Sequence, residues 1–219
     1  MRPLTERWAK AVLPIGGRAV VAVLLRELAA AGLRRVWLVT GHLAEQVELL
    51  AGDGSSFGLE IRVVPQPEVL GSADAVRRAV AAGCEPPFVA TAADTVYRNG
   101  DVAHFARQFG SSEAAGAVAV RTDPPPGPSR RAVRRTGRRV EQMRDDDPGN
   151  AWSAAPLWGI GDAVAERLCL DPPPHELANA FQAAIDASAA VIAVEIGPTR
   201  DLTDPLDLVE ENFPYLRFI

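Results

Sequence analysis

Two carboxylates and one ammonium are the side chains in this chain that are best suited to chemistry. Asp94 directly follows an apolar run, Phe88 to Ala92, and Asp201 holds a comparable place after a later apolar run. Ligands of an open parallel sheet bind beyond the carboxyl ends of its strands, so we expect both carboxylates at a binding edge. Mg²⁺ takes one or two protein carboxylates together with phosphate oxygens and water. Asp94 and Asp201, together with Lys10, would therefore suit a magnesium nucleotide, although Asp94 alone is equally typical of an ordinary turn.

Lys10 is distinguished by the composition of the chain. Of the 23 basic residues, 22 are arginine and Lys10 is the remaining one. A codon-biased gene explains the arginines, and on that interpretation the lysine is either chance or a position that arginine cannot fill. An ammonium is a compact point charge that reaches one phosphate oxygen, whereas a guanidinium is a wide planar fork. The count favours a phosphate-binding role for Lys10.

Other polar residues carry weaker signals. Gly71-Ser72 begins a predicted helix with Ser72 as its N-cap, and a turn of this kind offers free N–H groups to a base or an anion. A plain helix start explains Gly71 equally well.

The arginine-rich stretch 130–144 suggests RNA binding, but it lacks interleaved aromatic residues, which favours a solvated basic hairpin.

The histidines and cysteines indicate no site. The three histidines have no metal-ligand spacing, and neither Cys84 nor Cys169 has the setting of an activated thiol. Two cysteines cannot form a disulfide framework or a zinc site, which favours a reducing cytoplasm.

Composition restricts the class of protein. A chain of 219 residues with 47% hydrophobic residues can bury the core of one α/β domain. The longest nearly apolar stretch contains Arg26 and Glu27, so no membrane span is predicted, and the N-terminus lacks the layout of a signal peptide. A net charge of −5 argues against a general nucleic-acid binder.

The elements that must position these residues follow from the hydrophobic period and from Gly and Pro breaks. Strands are predicted at Val36–Val39, Glu60–Val64, Phe88–Ala92, Ala114–Arg121, Trp152–Ile160 and Ala190–Glu195, with two short strands within 130–144 that join near Gly137. Helices are predicted at Ala19–Ala31, Leu43–Leu50, Ser72–Ala82, Asp101–Phe109, Ala163–Leu168 and Glu176–Ser188, with a last helix from Pro205. This alternation predicts a parallel sheet with right-handed crossovers.

Five segments, in order along the chain, resemble the motifs of one family. They are Arg2-Pro3-Leu4-Thr5 with Lys10-Ala11-Val12-Leu13-Pro14-Ile15-Gly16-Gly17, Val39-Thr40-Gly41-His42, Gln66-Pro67-Glu68-Val69-Leu70-Gly71-Ser72-Ala73-Asp74-Ala75, Ala93-Asp94-Thr95, and Asp201-Leu202-Thr203-Asp204-Pro205-Leu206-Asp207-Leu208. The first resembles the signature R-P-L-T-x-x-x-P-K-A-L-L-P-V-G-G of the sugar-phosphate nucleotidylyltransferases, within the MobA-like NTP transferase superfamily. Each match is weak alone, and the ordered set is specific.

The resemblance implies a Rossmann-like, GT-A-like nucleotidyltransferase fold, a mostly parallel mixed sheet flanked by helices in a single domain, 1–219. Residues 1–121 would form the nucleotide-binding half and residues 122–219 the sugar-phosphate-binding half. The implied reaction joins a nucleoside triphosphate to a sugar 1-phosphate, giving an NDP-sugar and pyrophosphate, with Mg²⁺ as cofactor.

The resemblance also assigns site residues. Lys10 matches the phosphate-contacting lysine, Gln66 and Gly71 match the residues that read the base, and Ser72 adjoins them at the same helix start. Asp94 and Asp201 match the magnesium ligands. Glu176 loosely matches an acidic residue near the sugar, and Arg144, close to the segment that corresponds to the E-K-P motif of the family, could serve in place of its lysine.

Three departures leave alternatives open. The G-x-G-T-R loop and its strand would precede Arg2, so we expect an active protein to carry about 20 residues upstream of Met1. The proline before the signature lysine is Ala9, and the E-K-P motif reads Glu141-Gln142-Met143 before Arg144. The alternatives are nucleotidyl transfer to a cofactor such as molybdopterin, and a degenerate, non-catalytic nucleotide- or sugar-binding protein that lacks the loop.

Overall fold

Helices and strands alternate along most of the chain in the computed structural model, which describes residues 1–122, 132–168, 174–202 and 204–213. The helices are α1 (Val20–Ala30), α2 (Ala44–Ala51), α3 (Ser72–Ala81), α4 (Asp101–Gly110), α5 (Asp162–Ala165), α6 (Leu177–Asp186) and α7 (Pro205–Asn212). The strands are β1 (Pro14–Ile15), β2 (Arg18–Ala19), β3 (Arg35–Thr40), β4 (Glu60–Pro65), β5 (Phe88–Thr91), β6 (Thr95–Val96), β7 (Gly116–Arg121), β8 (Val133–Thr136), β9 (Arg139–Met143), β10 (Ser153–Ile160), β11 (Val191–Glu195) and β12 (Arg200–Asp201). Each strand and helix predicted from the sequence is present, with ends that differ by a few residues. No helix of these described ranges is long and apolar enough to cross a membrane.

The chain divides into two compact units. The first comprises Met1–Pro67, Ala92–Ala103 and Thr199–Ile219, and the second comprises Glu68–Thr91 and His104–Pro198. The functional division at residues 121 and 122 stays a prediction.

The first unit packs around the buried face of α1. Val20 of this helix lies in a core cluster with Leu13, Ile15, Val96 and Leu202. Three two-stranded pairings accompany it: β1 with β2, β3 parallel to β4, and β12 antiparallel to β6. The last helix, α7, begins with Pro205 at its first position, as predicted, and the structure adds a capping box between Asp204 and Asp207.

The second unit contains a six-stranded sheet in the order β5-β10-β7-β11-β9-β8. Side chains of α3 and α6 pack on this sheet, and Phe181 of α6 is fully buried among them. The strands β8 and β9 form a hairpin that turns at Gly137, as predicted for the arginine-rich stretch. Arg130 and Arg131 of that stretch lie outside the described residues.

The α/β class is confirmed, but parallel pairing is less general than the alternation predicts. Among the described strands it is confined to β3 with β4 and to β7 with β11. β10 lies between β5 and β7 and is antiparallel to both. All but one of the eight residues of β10 are buried. Its sequence is therefore mostly apolar along its length, a pattern that is typical of parallel strands. Such a run reports burial and carries no information on strand direction.

Candidate functional site

Lys10 and Asp94 form an ion pair in the first unit. Lys10 Nζ lies 2.8 Å from Asp94 Oδ2, and a third of each side chain is exposed. Lys10 begins a short 3-10 helix, Lys10–Val12, and Asp94 stands directly before β6. Residues 84 positions apart in sequence therefore contact each other, and a binding role for this place stays a prediction.

Asp201 lies next to this pair through the β6–β12 ladder. Asp201 is the last residue of β12, and its register partner is Thr95, the residue that follows Asp94. Thr95 is buried, whereas Asp94 and Asp201 keep partial exposure. The two carboxylates predicted to act together thus occupy neighbouring positions on paired segments, and their role as metal ligands stays a prediction.

The donor set at this place fits a magnesium ion. Asp94 Oδ2 is engaged by Lys10, and Oδ1 has no hydrogen-bond partner within the described residues. The described part of the chain holds no cluster of three or more His, Cys, Asp or Glu side chains that would form a complete protein cage for a metal. One or two carboxylates, with phosphate oxygens and water completing the shell, is the arrangement that Mg²⁺ commonly takes.

Gln46 holds the backbone that leads into Lys10, although it lies outside the motifs of the sequence. Its Oε1 accepts a hydrogen bond of 2.8 Å from the Ala9 N–H, and its Nε2 donates one of 2.8 Å to the Arg7 carbonyl. The family signature has proline at position 9, which has no N–H to donate. Ala9 therefore makes a contact that proline could not make. Only the fold brings α2 beside residues 7–9, so no local sequence signal identifies Gln46.

Gln66 lies in the first unit at the end of β4. Its N–H donates a hydrogen bond of 2.6 Å to the carbonyl of Thr40, the last residue of β3. A Cβ at Gly41 would stand 3.0 Å from the Gln66 carbonyl, so glycine permits this close approach. The two parallel strands therefore end side by side, and the base-reading role of Gln66 stays a prediction.

The start of α3 meets the start of α6 in the second unit. There Gly71 and Ser72 lie beside Glu176, although Ser72 and Glu176 are 104 positions apart in sequence. Ser72 Oγ donates a hydrogen bond of 2.5 Å to Glu176 Oε2 and accepts one of 2.9 Å from the Leu177 N–H. The N-cap of α3 is Gly71, with Ser72 as the first helical residue. The prediction of Ser72 as N-cap is therefore wrong, because its hydroxyl bonds α6 instead of its own helix.

Arg144 follows β9 on the surface of the second unit. It is exposed, adopts a left-handed φ of 56°, and makes no ion pair with any residue of the described ranges. Its neighbour Asp145 is buried and bonded to Arg134 at 2.6 Å and to Asn150 Nδ2 at 2.8 Å. The Arg134 hydrogen bond lowers the pKa of the Asp145 carboxyl below its ordinary value of 3.8, against the opposing effect of burial. This network anchors the hairpin and leaves Arg144 directed outward; its sugar-phosphate role stays a prediction.

The chain is similar in sequence to known nucleotidyltransferases. A model of the MobA-like NTP transferase domain matches residues 4–159. The chain is 37% identical over 76 residues to the glucose-1-phosphate thymidylyltransferase of Streptomyces griseus, covering 35% of this chain and 21% of that protein. It is 25% identical over 226 residues to the low-salt glycan biosynthesis nucleotidyltransferase Agl11 of Haloferax volcanii, covering 97% of this chain and 61% of that protein. The chain thus spans between about a fifth and three fifths of the length of these two relatives.

Solved structures share the fold. A UDP-glucose pyrophosphorylase complexed with UDP-glucose matches with a TM-score of 0.80 at 16% identity, covering 100% of this chain and 94% of that one. The inositol-1-phosphate CTP transferase from T. maritima matches with a TM-score of 0.76 at 17% identity, covering 94% and 85%. At such identities the likeness establishes the α/β nucleotidyltransferase fold. Since the family model covers well over half of the residues, including Lys10, Gln66 and Asp94, the chain belongs to the MobA-like NTP transferase domain family.

Proposed function

We propose that this protein is a nucleotidyltransferase that joins a nucleoside triphosphate to a sugar 1-phosphate. An oxygen of the sugar phosphate attacks the α-phosphorus, a new P–O bond forms, and the bond from that phosphorus to the bridging oxygen breaks. Pyrophosphate leaves with the electron pair, and the NDP-sugar is the other product. The observation that carries the proposal is the Lys10–Asp94 contact of 2.8 Å, with Asp201 beside it on the paired segment.

The chain's own residues have tasks that follow from charge. The nucleophile belongs to the substrate, so the protein needs to align two anions and reduce their repulsion. Lys10 supplies one positive charge that can move from Asp94 to a phosphate oxygen. Asp94 and Asp201 would hold Mg²⁺, which when bound neutralises phosphate charge and orients the leaving group.

Glu176 and Arg144 are the residues that we assign to the sugar phosphate. The motif resemblance of the sequence supports these two contacts, and it supports Gln66 as a contact for the base. The cytoplasmic location that the low cysteine count favours belongs to the same proposal.

The test measures pyrophosphate release over a panel of nucleoside triphosphates and sugar 1-phosphates, with and without Mg²⁺. We expect Mg²⁺-dependent release for the wild type and a loss of at least about 100-fold in Asp94→Asn and in Asp201→Asn, of the order that removing a charge-stabilising group costs. Asp162→Asn, the same exchange at the exposed first residue of α5, is the control and should retain full activity. Full release by both folded Asn variants would contradict the assignment, and binding of nucleotide without release would favour a non-catalytic binding protein.

A further inference from the structure

Two chain segments of the second unit, Leu70–Ala73 and His175–Leu177, are joined along their length, and we call them the clasp. The His175 N–H donates to the Leu70 carbonyl at 2.7 Å, and the Ala73 N–H donates to the His175 carbonyl at 2.6 Å. Gly71 lies between these two bonds with a φ of 111°, and a Cβ there would overlap the backbone of His175. The clasp therefore sets the start of α3 directly against the start of α6.

The hydroxyl of Ser72 is committed within the clasp. It has one hydrogen, which it donates to Glu176 Oε2, and it accepts the N–H of Leu177. A serine in this arrangement has no hydrogen left to donate to a nucleotide base. The contact to Oε2 is a charge-assisted hydrogen bond, which is stronger than a bond between neutral groups.

The carboxylate of Glu176 is held by Ser72 and is not used by its own helix. Glu176 is the N-cap of α6, but its side chain does not cap that helix; the Leu177 N–H is satisfied by Ser72 instead. Glutamate is not among the residues that helices prefer at this position. Glu176 is half-buried, and in the described part of the chain Oε1 has no hydrogen-bond partner. One oxygen is therefore fixed and the other is available to a ligand.

We propose that Ser72 is a positioning residue for the sugar 1-phosphate, acting through Glu176. Ser72 fixes Oε2, and Oε1 then accepts a hydrogen bond from one hydroxyl of the sugar. The inference rests on the proposed function and transfers Ser72 from the nucleotide side, where the sequence places it, to the sugar side. Without the Ser72 hydroxyl, the side chain of Glu176 samples several rotamers. Its Oε1 then reaches the sugar hydroxyl in only a fraction of them.

The experiment compares Ser72→Ala, Ser72→Thr and Ser112→Ala in the full chain. Ser112 is the matched control, because its partly buried hydroxyl donates to the Phe109 carbonyl at 2.8 Å and accepts from the Ala114 N–H, away from the clasp. For Ser72→Ala we expect a KM for the sugar 1-phosphate raised about tenfold, as for a lost hydrogen bond to a charged group. The KM for the nucleoside triphosphate should stay within about twofold. Ser72→Thr keeps the hydroxyl and should restore the sugar KM, and Ser112→Ala should match the wild type.

A double-mutant cycle separates the two roles for Ser72. In a Glu176→Ala background, removing the Ser72 hydroxyl should change the sugar KM no further, because the group it positions is gone. A raised KM for the nucleoside triphosphate that persists in this background would overturn the inference and return Ser72 to the nucleotide. A Ser72→Ala protein that behaves like Ser112→Ala would also overturn it, with the proposed function intact. A wild type that neither binds a sugar 1-phosphate in calorimetry nor releases pyrophosphate would overturn both.

Discussion

At the scale of single residues, the Lys10–Asp94 ion pair contributes little to the free energy of unfolding. It does place a positive charge directly beside a carboxylate. With a third of each side chain exposed, such a pair typically contributes about 0.2–1 kcal/mol. Its geometry is nevertheless specific, because Gln46 fixes residues 7–9 through two hydrogen bonds. In the proposed reaction this ammonium exchanges the carboxylate oxygen of Asp94 for a phosphate oxygen.

Replacing Lys10 by arginine tests whether the position demands a point charge. If Lys10 contacts phosphate, the wider guanidinium cannot occupy the same place, and an error of about 1 Å can cost about 100-fold in rate. We expect Lys10→Arg to lose at least about 2 kcal/mol of transition-state stabilisation, about thirtyfold in kcat/KM, with little change in Tm.

The control is Arg62→Lys, the reverse exchange at an exposed ion pair with Glu60, which should leave kcat/KM unchanged. Wild-type turnover by the Lys10→Arg protein would show that any cation suffices at this position.

At the scale of elements, the close approach of helix starts in the second unit depends on a glycine. Gly71 combines a left-handed φ with contact against the His175 backbone, and backbone atoms cannot move aside as a flexible side chain can. Gly83 follows α3 and has a similar φ of 93°, with nothing within 4 Å of its Cβ position. Substitutions at these two glycines therefore distinguish the cost of the backbone conformation from the cost of steric overlap.

We expect Gly71→Ala to lower the free energy of unfolding by about 3 kcal/mol and Gly83→Ala by about 1 kcal/mol, since the first adds overlap to the strain that both share. Chemical denaturation of each variant measures both values. Equal losses at the two positions would contradict a tight contact in the clasp.

At the scale of the whole molecule, stability depends on pH through buried charge. Asp145 is 2% exposed in its side chain, and its pKa is lowered by the hydrogen bond from Arg134. A carboxyl whose pKa is lower in the folded than in the unfolded state stabilises the fold above the unfolded pKa, which is 3.8 here. This stabilisation is lost as the pH falls through the folded value.

We therefore expect Asp145→Asn to be less stable than the wild type at about pH 7, with the difference shrinking as the pH falls below about 4. Urea unfolding across this range measures the effect. Asp146→Asn, at the exposed neighbouring position, is the control and should follow the wild-type profile. A difference between Asp145→Asn and the wild type that stays constant down to about pH 2 would show that the carboxylate's charge is not responsible.

The sequence by itself determined the elements and the approximate place of the first unit's charged residues. Apolar runs between Gly and Pro breaks identify β3 and β4, and Pro205 marks the start of α7, because these signals depend on residues close together in the chain. The position of Asp94 after an apolar run also predicts its place at the end of a strand, where Lys10 meets it.

Only the tertiary structure decided strand direction and the partners of polar side chains. The antiparallel course of β10, the bond from Ser72 to Glu176, and the hold of Gln46 on residues 7–9 join positions between 32 and 104 residues apart. A hydrogen bond needs its two atoms within about 3 Å, and at such separations that distance is set by the packing of the intervening elements. Local patterns report which residues are buried and where an element ends, whereas the choice of partner depends on the path of the whole chain.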